Sequence, residues 1–140
     1  MIARLHRLRK ERLNGDRGFT LTELLVVIVI IGILVAIAIP VFLSQRAAAQ
    51  ERAIESDVRN AVPVLETYYA DKGNYPALTG TAITASGPID STTGAPRLTI
   101  TPDVTLKITV SGQKYTIVGS HSAISTTYTY ESDKGNMVKG

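Results

Sequence analysis

The chain has 140 residues, enough for one domain, and carries 15 Lys or Arg against 12 Asp or Glu for a formal charge of +3. Six of those cations (Arg4, Arg7, Arg9, Lys10, Arg12, Arg17) and two anions (Glu11, Asp16) fall within residues 1–18, so the rest of the chain is formally −1 and its charge gives no argument for binding nucleic acid. With no cysteine at all, disulfides, thiolate metal sites and a lipidated cysteine are excluded, whereas export is not.

After the basic start comes the segment that decides the class. From Leu24 to Leu43 no side chain is charged or strongly polar. A helix of that length rises about 30 Å, the thickness of a bilayer core. It has no polar stripe, so it is not a core helix with one wet face. The cations precede it, and the positive-inside rule therefore predicts a cytoplasmic N-terminus and a C-terminus outside, with membrane lipid around the span.

Beyond the span the apolar residues take up helical spacing. Ala47, Ile54, Val58, Ala61 or Val62, Leu65 and Tyr68 or Tyr69 recur at steps of three and four. Gln50, Glu51, Arg52, Glu55, Asp57, Arg59 and Glu66 read as the wet face. One helix is predicted from about Phe19 to about Tyr69, with Pro40 and Pro63 bending or locally opening it. Asp71-Lys72-Gly73-Asn74-Tyr75-Pro76 is a stop signal: a glycine for a left-handed cap, then a proline that cannot continue the helix.

Residues 77–97 are rich in Thr, Ser, Gly, Ala and Pro and read as a long irregular surface loop. Val104, Leu106, Ile108 and Val110 then alternate with Thr105, Lys107 and Thr109, the period of a half-buried strand. Ser111-Gly112-Gln113-Lys114 reads as a turn, Tyr115–Val118 as the return strand, Thr126–Glu131 as a third, and Met137-Val138 as a short last one. Leu98–Thr101 reads as an edge strand. The predicted fold is α+β: a long N-terminal helix, half membrane-spanning and half amphipathic, packed on a C-terminal antiparallel sheet of three to four strands. The predicted organisation is a basic leader at 1–18, a spanning helix at 19–43, and a globular part at 44–140 with helix 44–70, loop 71–97 and sheet 98–140.

The most informative stretch is Arg17-Gly18-Phe19-Thr20-Leu21-Thr22-Glu23-Leu24-Leu25-Val26-Val27. A charged leader ends in glycine, an aromatic residue follows, a glutamate stands four residues later, and the apolar run begins. This pattern closely resembles the signal of type IV prepilins and type II secretion pseudopilins. Strong resemblance covers about residues 16–60, and Gly73-Asn74-Tyr75-Pro76 looks pilin-like as well. The resemblance implies a pilin fold and removal of residues 1–18 by a prepilin peptidase cutting after Gly18. It further implies N-methylation of Phe19, and polymerisation into a helical homopolymer by a membrane assembly platform and its ATPase. It assigns register to Glu23 and helix loosening to Gly32 and Pro40. Adhesion, twitching motility and DNA uptake are the roles such filaments fill. Many members close their C-terminal region with a disulfide; this chain must tie its last strands through the sheet itself.

The chemistry of the same residues points the same way. A carboxylate at the mouth of an apolar span is costly, and such residues usually have a partner. Cleavage after Gly18 creates one, the Phe19 amine, cationic at neutral pH. At about 4 Å and an effective dielectric of 20 that pair gains about 4 kcal/mol before desolvation. A misplaced neighbour would leave the acid unpaired, so one glutamate per subunit can set axial register. Gly18 offers a peptidase an unobstructed backbone.

No phosphate loop, dinucleotide fingerprint or zinc spacing is present, and no cofactor, metal or catalytic residue is predicted. His6 lies in the leader, His121 stands alone among Ser and Thr, and Asp90 lacks the companions calcium needs. Tyr68, Tyr69, Tyr115, Tyr128 and Tyr130 read as packing residues. Rival readings are a secreted domain cut after Ala49, a DNA-binding minor pilin, and a pseudopilin. The first conflicts with the twenty-residue span, since signal-peptide cores run about 7–15 residues. The second conflicts with the scatter of Arg97, Lys107, Lys114, Lys134 and Lys139 among Asp90, Asp103, Glu131 and Asp133. The third shares the whole physical argument.

Overall fold

The structure is a computed structural model and describes residues 19–91 and 93–140. The predicted leader, including Gly18, lies outside the described residues. The chain divides into two compact units between Phe42 and Leu43.

Helix α1 runs from Leu21 to Lys72. It continues through Pro40 and Pro63 without interruption; each proline deletes one N–H donor, and the turns on either side hold the rod. Its end lies three residues past the predicted Tyr69. Gly73, at φ 73°, turns into the left-handed region, and its N–H caps the Tyr69 carbonyl at 2.8 Å. Lys72 sits in the last turn, where a cation suits the helix dipole. In the first unit the described residues are Phe19, Thr20 and the apolar start of α1, and among the described residues none covers that apolar start.

The second unit is the second half of α1 on a sheet. Ile54, Val58, Ala61, Leu65 and Tyr68 form one buried helix face. Of the paired options in the sequence pattern, Ala61 and Tyr68 go inward while Val62 and Tyr69 stay half-buried. The sheet comprises β1 (Thr79–Ile83), β4 (Val104–Ser111), β5 (Lys114–His121), β6 (Ile124–Glu131) and β7 (Asn136–Lys139), in the order β1-β4-β5-β6-β7. Each neighbouring pair is antiparallel. A separate two-stranded sheet joins β2 (Gly87–Pro88) to β3 (Arg97–Leu98). Val104, Leu106 and Ile108 of β4, with Tyr115 and Ile117 of β5, fill the core beneath α1. Ile89, Leu98 and Ile100 close it from the side of the small sheet.

The β4–β5 hairpin turns on two residues, Gly112 and Gln113, with Ser111 facing Lys114. Gly112 adopts φ 64°, which such a tight hairpin demands of its first turn residue. In β5, Gly119 permits a close approach of helix and sheet. A Cβ there would lie 2.6 Å from the γ-methyls of both Ile54 and Val58.

The α+β expectation matches this arrangement, but the sheet has five strands where three to four were expected. The added strand is β1, in the stretch 77–97, which is expected to be an irregular loop and also holds β2 of the small sheet. Edge strand β1, Thr-Gly-Thr-Ala-Ile, has no apolar alternation and is held by pairing with β4, with a register shift between Thr79 and Ala82. An edge strand with only one neighbour need not show the two-sided pattern that betrays a central one. The edge strand expected at Leu98–Thr101 is also corrected: Leu98 pairs with Gly87 in the small sheet, and Thr101 turns its N–H to the helix.

Three acids that the sequence pattern puts on the wet face also tie the fold together; of them Asp57 is buried, Glu51 half-buried and Glu66 exposed. Asp57 is 3% exposed; its Oδ2 accepts from the Thr101 N–H at 2.7 Å and its Oδ1 from the Thr101 hydroxyl at 3.1 Å. Glu66 accepts from the Tyr115 hydroxyl at 2.8 Å and from Tyr75 at 3.2 Å. Burial first, then the Glu66 carboxylate, pushes both phenols up, so they remain donors. Glu51 receives the Thr126 hydroxyl at 3.1 Å and the Lys139 ammonium at 2.7 Å. These are ties from helix to loop, to β5 and to the last two strands, in a chain that has no disulfide to do it.

The Glu51 tie carries a pH signature. Hydrogen bonding from Lys139, then from Thr126, holds the Glu51 carboxyl below its ordinary 4.5, and Glu51 raises the Lys139 ammonium above its ordinary 10.5. A depressed acid contributes stability that is present above its unfolded pKa and lost as pH falls through the folded one. A raised base contributes stability lost as pH rises through its folded value. The tie is therefore intact between those limits and fails outside them. Glu51→Gln should flatten the acid limb of a thermal-melt profile of the chain in detergent; an acid limb as steep as that of the parent would show that Glu51 does not contribute.

Candidate functional site

Phe19 and Thr20 precede α1, and Phe19 is 84% exposed. Thr20 caps the helix. Its backbone N–H and its hydroxyl both donate to Oε2 of Glu23 at 2.8 Å, and the Glu23 N–H returns a bond to the Thr20 hydroxyl oxygen at 3.2 Å. This is a capping box, in which two of the orphan donors of a helix start are satisfied reciprocally. Sequence reasoning gives Glu23 a charge role and misses the cap, although Thr20-x-x-Glu23 before an apolar run is the signature of one. Both bonds from Thr20 land on Oε2; among the described residues Oε1 accepts nothing. The cap thus fixes the direction of the carboxylate and leaves one oxygen for a partner.

Beyond the cap, the large apolar side chains from Leu24 to Leu43 are each 44–64% exposed. Mean hydropathy reaches 3.4 over the most apolar window of α1, which is long and apolar enough to cross a membrane. Leaving these sixteen side chains in water forfeits on the order of 20 kcal/mol. The rod must therefore lie in lipid or against other protein. A β-carbon added at Gly32 would meet nothing within 4 Å, and Pro40 lies in uninterrupted helix, so both present open surface along the rod.

The other candidate residues are not brought to this site. His121 ends β5, where its Nδ1 accepts the Ala123 N–H at 3.1 Å and shapes the β5–β6 turn. Asp90 accepts the Tyr68 hydroxyl at 2.6 Å. Tyr69, Tyr75, Tyr115 and Tyr130 form a ring-to-ring chain with centroids 4.7, 5.0 and 6.1 Å apart, packed beside the core. Among the described residues, no group of three or more His, Asp or Glu is placed to hold a metal.

A capped acid at the head of an uncovered apolar rod, continued into a helix-on-sheet unit, has parallels among known proteins. Residues 13–39 match the family model for the prokaryotic N-terminal methylation motif. Over 125 residues the chain is 32% identical to the type IV wide pilus major component PilA4 of Thermus thermophilus, covering 88% of this chain and 87% of that protein. The chain belongs to the type IV pilin family. That family takes in type II secretion pseudopilins, and its members are structural subunits rather than known enzymes. The chain is also 36% identical over 69 residues to the type IV major pilin protein PilA of Myxococcus xanthus, and 37% identical over 65 residues to the type II secretion system core protein G of Klebsiella michiganensis. It covers 31% and 46% of those two proteins.

Proposed function

We propose that the chain is the precursor of a structural subunit of a type IV pilus-like filament. In this reading residues 1–18 are a leader, cut after Gly18 by a prepilin peptidase that also methylates the Phe19 amine. The segment 19–43 then holds the subunit in the cytoplasmic membrane, with residues 44–140 outside. An ATP-driven platform moves the rod from lipid into a bundle of its own kind at the cell surface. The observation that carries this reading is the rod itself: twenty residues that nothing among the described residues covers, headed by an acid whose Oε1 accepts no bond from those residues.

Lipid tails are as apolar as leucine, so moving the rod from bilayer to filament gains little from the hydrophobic effect. Packing and charge must specify the assembly. Glu23 would take the Phe19 amine of a neighbour on Oε1 while Thr20 holds Oε2. Gly32 and Pro40 would be the points where the rod adapts to its neighbours.

Mass spectrometry of the mature protein tests the first step: the expected N-terminus is methylated Phe19. A chain beginning at Gln50 would establish a secreted domain instead. The match to core protein G supports a second reading, a pseudopilin, against which the far longer match to PilA4 weighs. A deletion strain separates the two: loss of surface filaments marks the pilin, loss of protein secretion the pseudopilin.

A further inference from the structure

Just past the apolar run stand two arginines that the fold does not use. Arg46 and Arg52 are exposed, and among the described residues neither makes an ion pair or hydrogen bond. The acids nearest them are already engaged. Glu51 holds Lys139. Glu55, one turn beyond Arg52, takes Arg59 instead, with Oε1 accepting from Nε at 3.2 Å and from Nη2 at 2.7 Å. The remaining polar neighbours at helical spacing, Gln50 and Ser56, are neutral. The first turns after the span therefore present two uncompensated guanidiniums.

Their positions suit a membrane surface. Arg46 lies three residues beyond Leu43 and Arg52 nine, about 4.5 and 13.5 Å along a helix axis. The headgroup layer is about 5–7 Å deep on each side of the hydrocarbon. Helix side chains lean toward the N-terminus, which here is toward the bilayer, and a long arginine can fold back along the rod. Guanidinium matches phosphate oxygens bidentately. We propose that Arg46 and Arg52 form a clasp for the phosphates of anionic phospholipids, setting the depth at which the unassembled subunit rests. The inference rests on the membrane reading of residues 24–43. Assembly would then have to strip two charge-assisted contacts from lipid before the rod can leave it.

The absence of native cysteine makes a clean reporter available at Ala49, which is exposed between the two arginines. The full chain carrying Ala49→Cys is reconstituted into vesicles of phosphatidylcholine alone, or of phosphatidylcholine mixed with phosphatidylglycerol, and labelled with an uncharged maleimide. Labelling is expected to be about tenfold slower in the anionic vesicles at low salt, since a cation near an anionic surface gains several-fold in affinity. High salt, or Arg46→Gln with Arg52→Gln, should bring the rate to within about twofold of that in neutral vesicles. Arg46→Lys with Arg52→Lys should keep most of the slowing. Equal rates in both vesicles, or slowing that survives the double glutamine change, would overturn the clasp. Slowing that appears in neutral vesicles and grows with protein density would mean that a second copy occupies this surface, and would overturn it too. Flotation distinguishes the underlying reading: chains that do not float with either vesicle refute the membrane span, and the clasp with it.

Discussion

Glu23→Ala should abolish surface filaments while leaving the chain cleaved and in the membrane. The substitution removes two things at once. It deletes the capping box, a loss of about 0.5–2 kcal/mol at a helix start. It also deletes the charge proposed to meet a neighbour's Phe19 amine, an attraction of about 4 kcal/mol before desolvation at 4 Å and a dielectric of 20. The second effect is repeated in every subunit of a filament, so it dominates. Glu23→Gln separates them, because glutamine serves at this position of a capping box as glutamate does. With the Thr20 bonds retained and the charge gone, filaments counted by electron microscopy should still be missing. If Glu23→Gln restores them, the residue acts through the cap seen at 2.8 Å and the register role falls. Immunoblots for the processed chain in membrane fractions guard against a trivial failure of export.

The second large effect is expected at Gly119. Its φ lies outside the left-handed region, so backbone freedom is not what the position requires. What it requires is space: a Cβ would sit 2.6 Å from Ile54 Cγ2 and from Val58 Cγ2. Both are β-branched side chains fully buried on α1, with few rotamers to escape into. Gly119→Ala should therefore cost about 3 kcal/mol, the upper end for overpacking. In a unit of this size that lowers the melting temperature by roughly 15 °C. Gly119→Val should leave too little of a total stability near 5–15 kcal/mol for the unit to fold. Val58→Ala offers the control. Alone it creates a cavity and destabilises; combined with Gly119→Ala it removes the clash with Val58 while that with Ile54 remains, and the pair should be coupled by about 1 kcal/mol or more. Strict additivity in circular-dichroism melts of the chain in detergent would refute the close-approach explanation.

These two residues differ in how far the sequence exposes them. Glu23 is legible as a candidate because its oddity is local: one acid beside a charge-free run needs no fold to be noticed. Its cap is legible too, in Thr20-x-x-Glu23, but the intramembrane charge at the same residue masks it. Gly119 is not legible, since a glycine in a strand pattern shows no sign of which helix methyls will lie above it. The ties of Asp57 and Glu66 are not legible, because helical spacing identifies the inward face and says nothing of what acids at its margin will meet. Their partners, Thr101, Tyr115 and Tyr75, are up to 49 residues away. Edge strand β1 leaves no pattern because pairing with β4, rather than its own residues, makes it a strand.

What the amino-acid order determined by itself was the rod, its need for surroundings other than water, and the helix face at Ile54, Val58, Ala61, Leu65 and Tyr68. Hydropathy, charge and periodicity are sums over neighbours in the chain, and each keeps its meaning without a partner. Only the tertiary structure decided which acids tie helix to sheet, that Gly119 lies close under Ile54 and Val58, how many strands the sheet holds, and that Arg46 and Arg52 have no partner among the described residues. Each of those depends on which distant groups arrive within a few ångströms of one another, and a hydrogen bond or a clash exists only at that range.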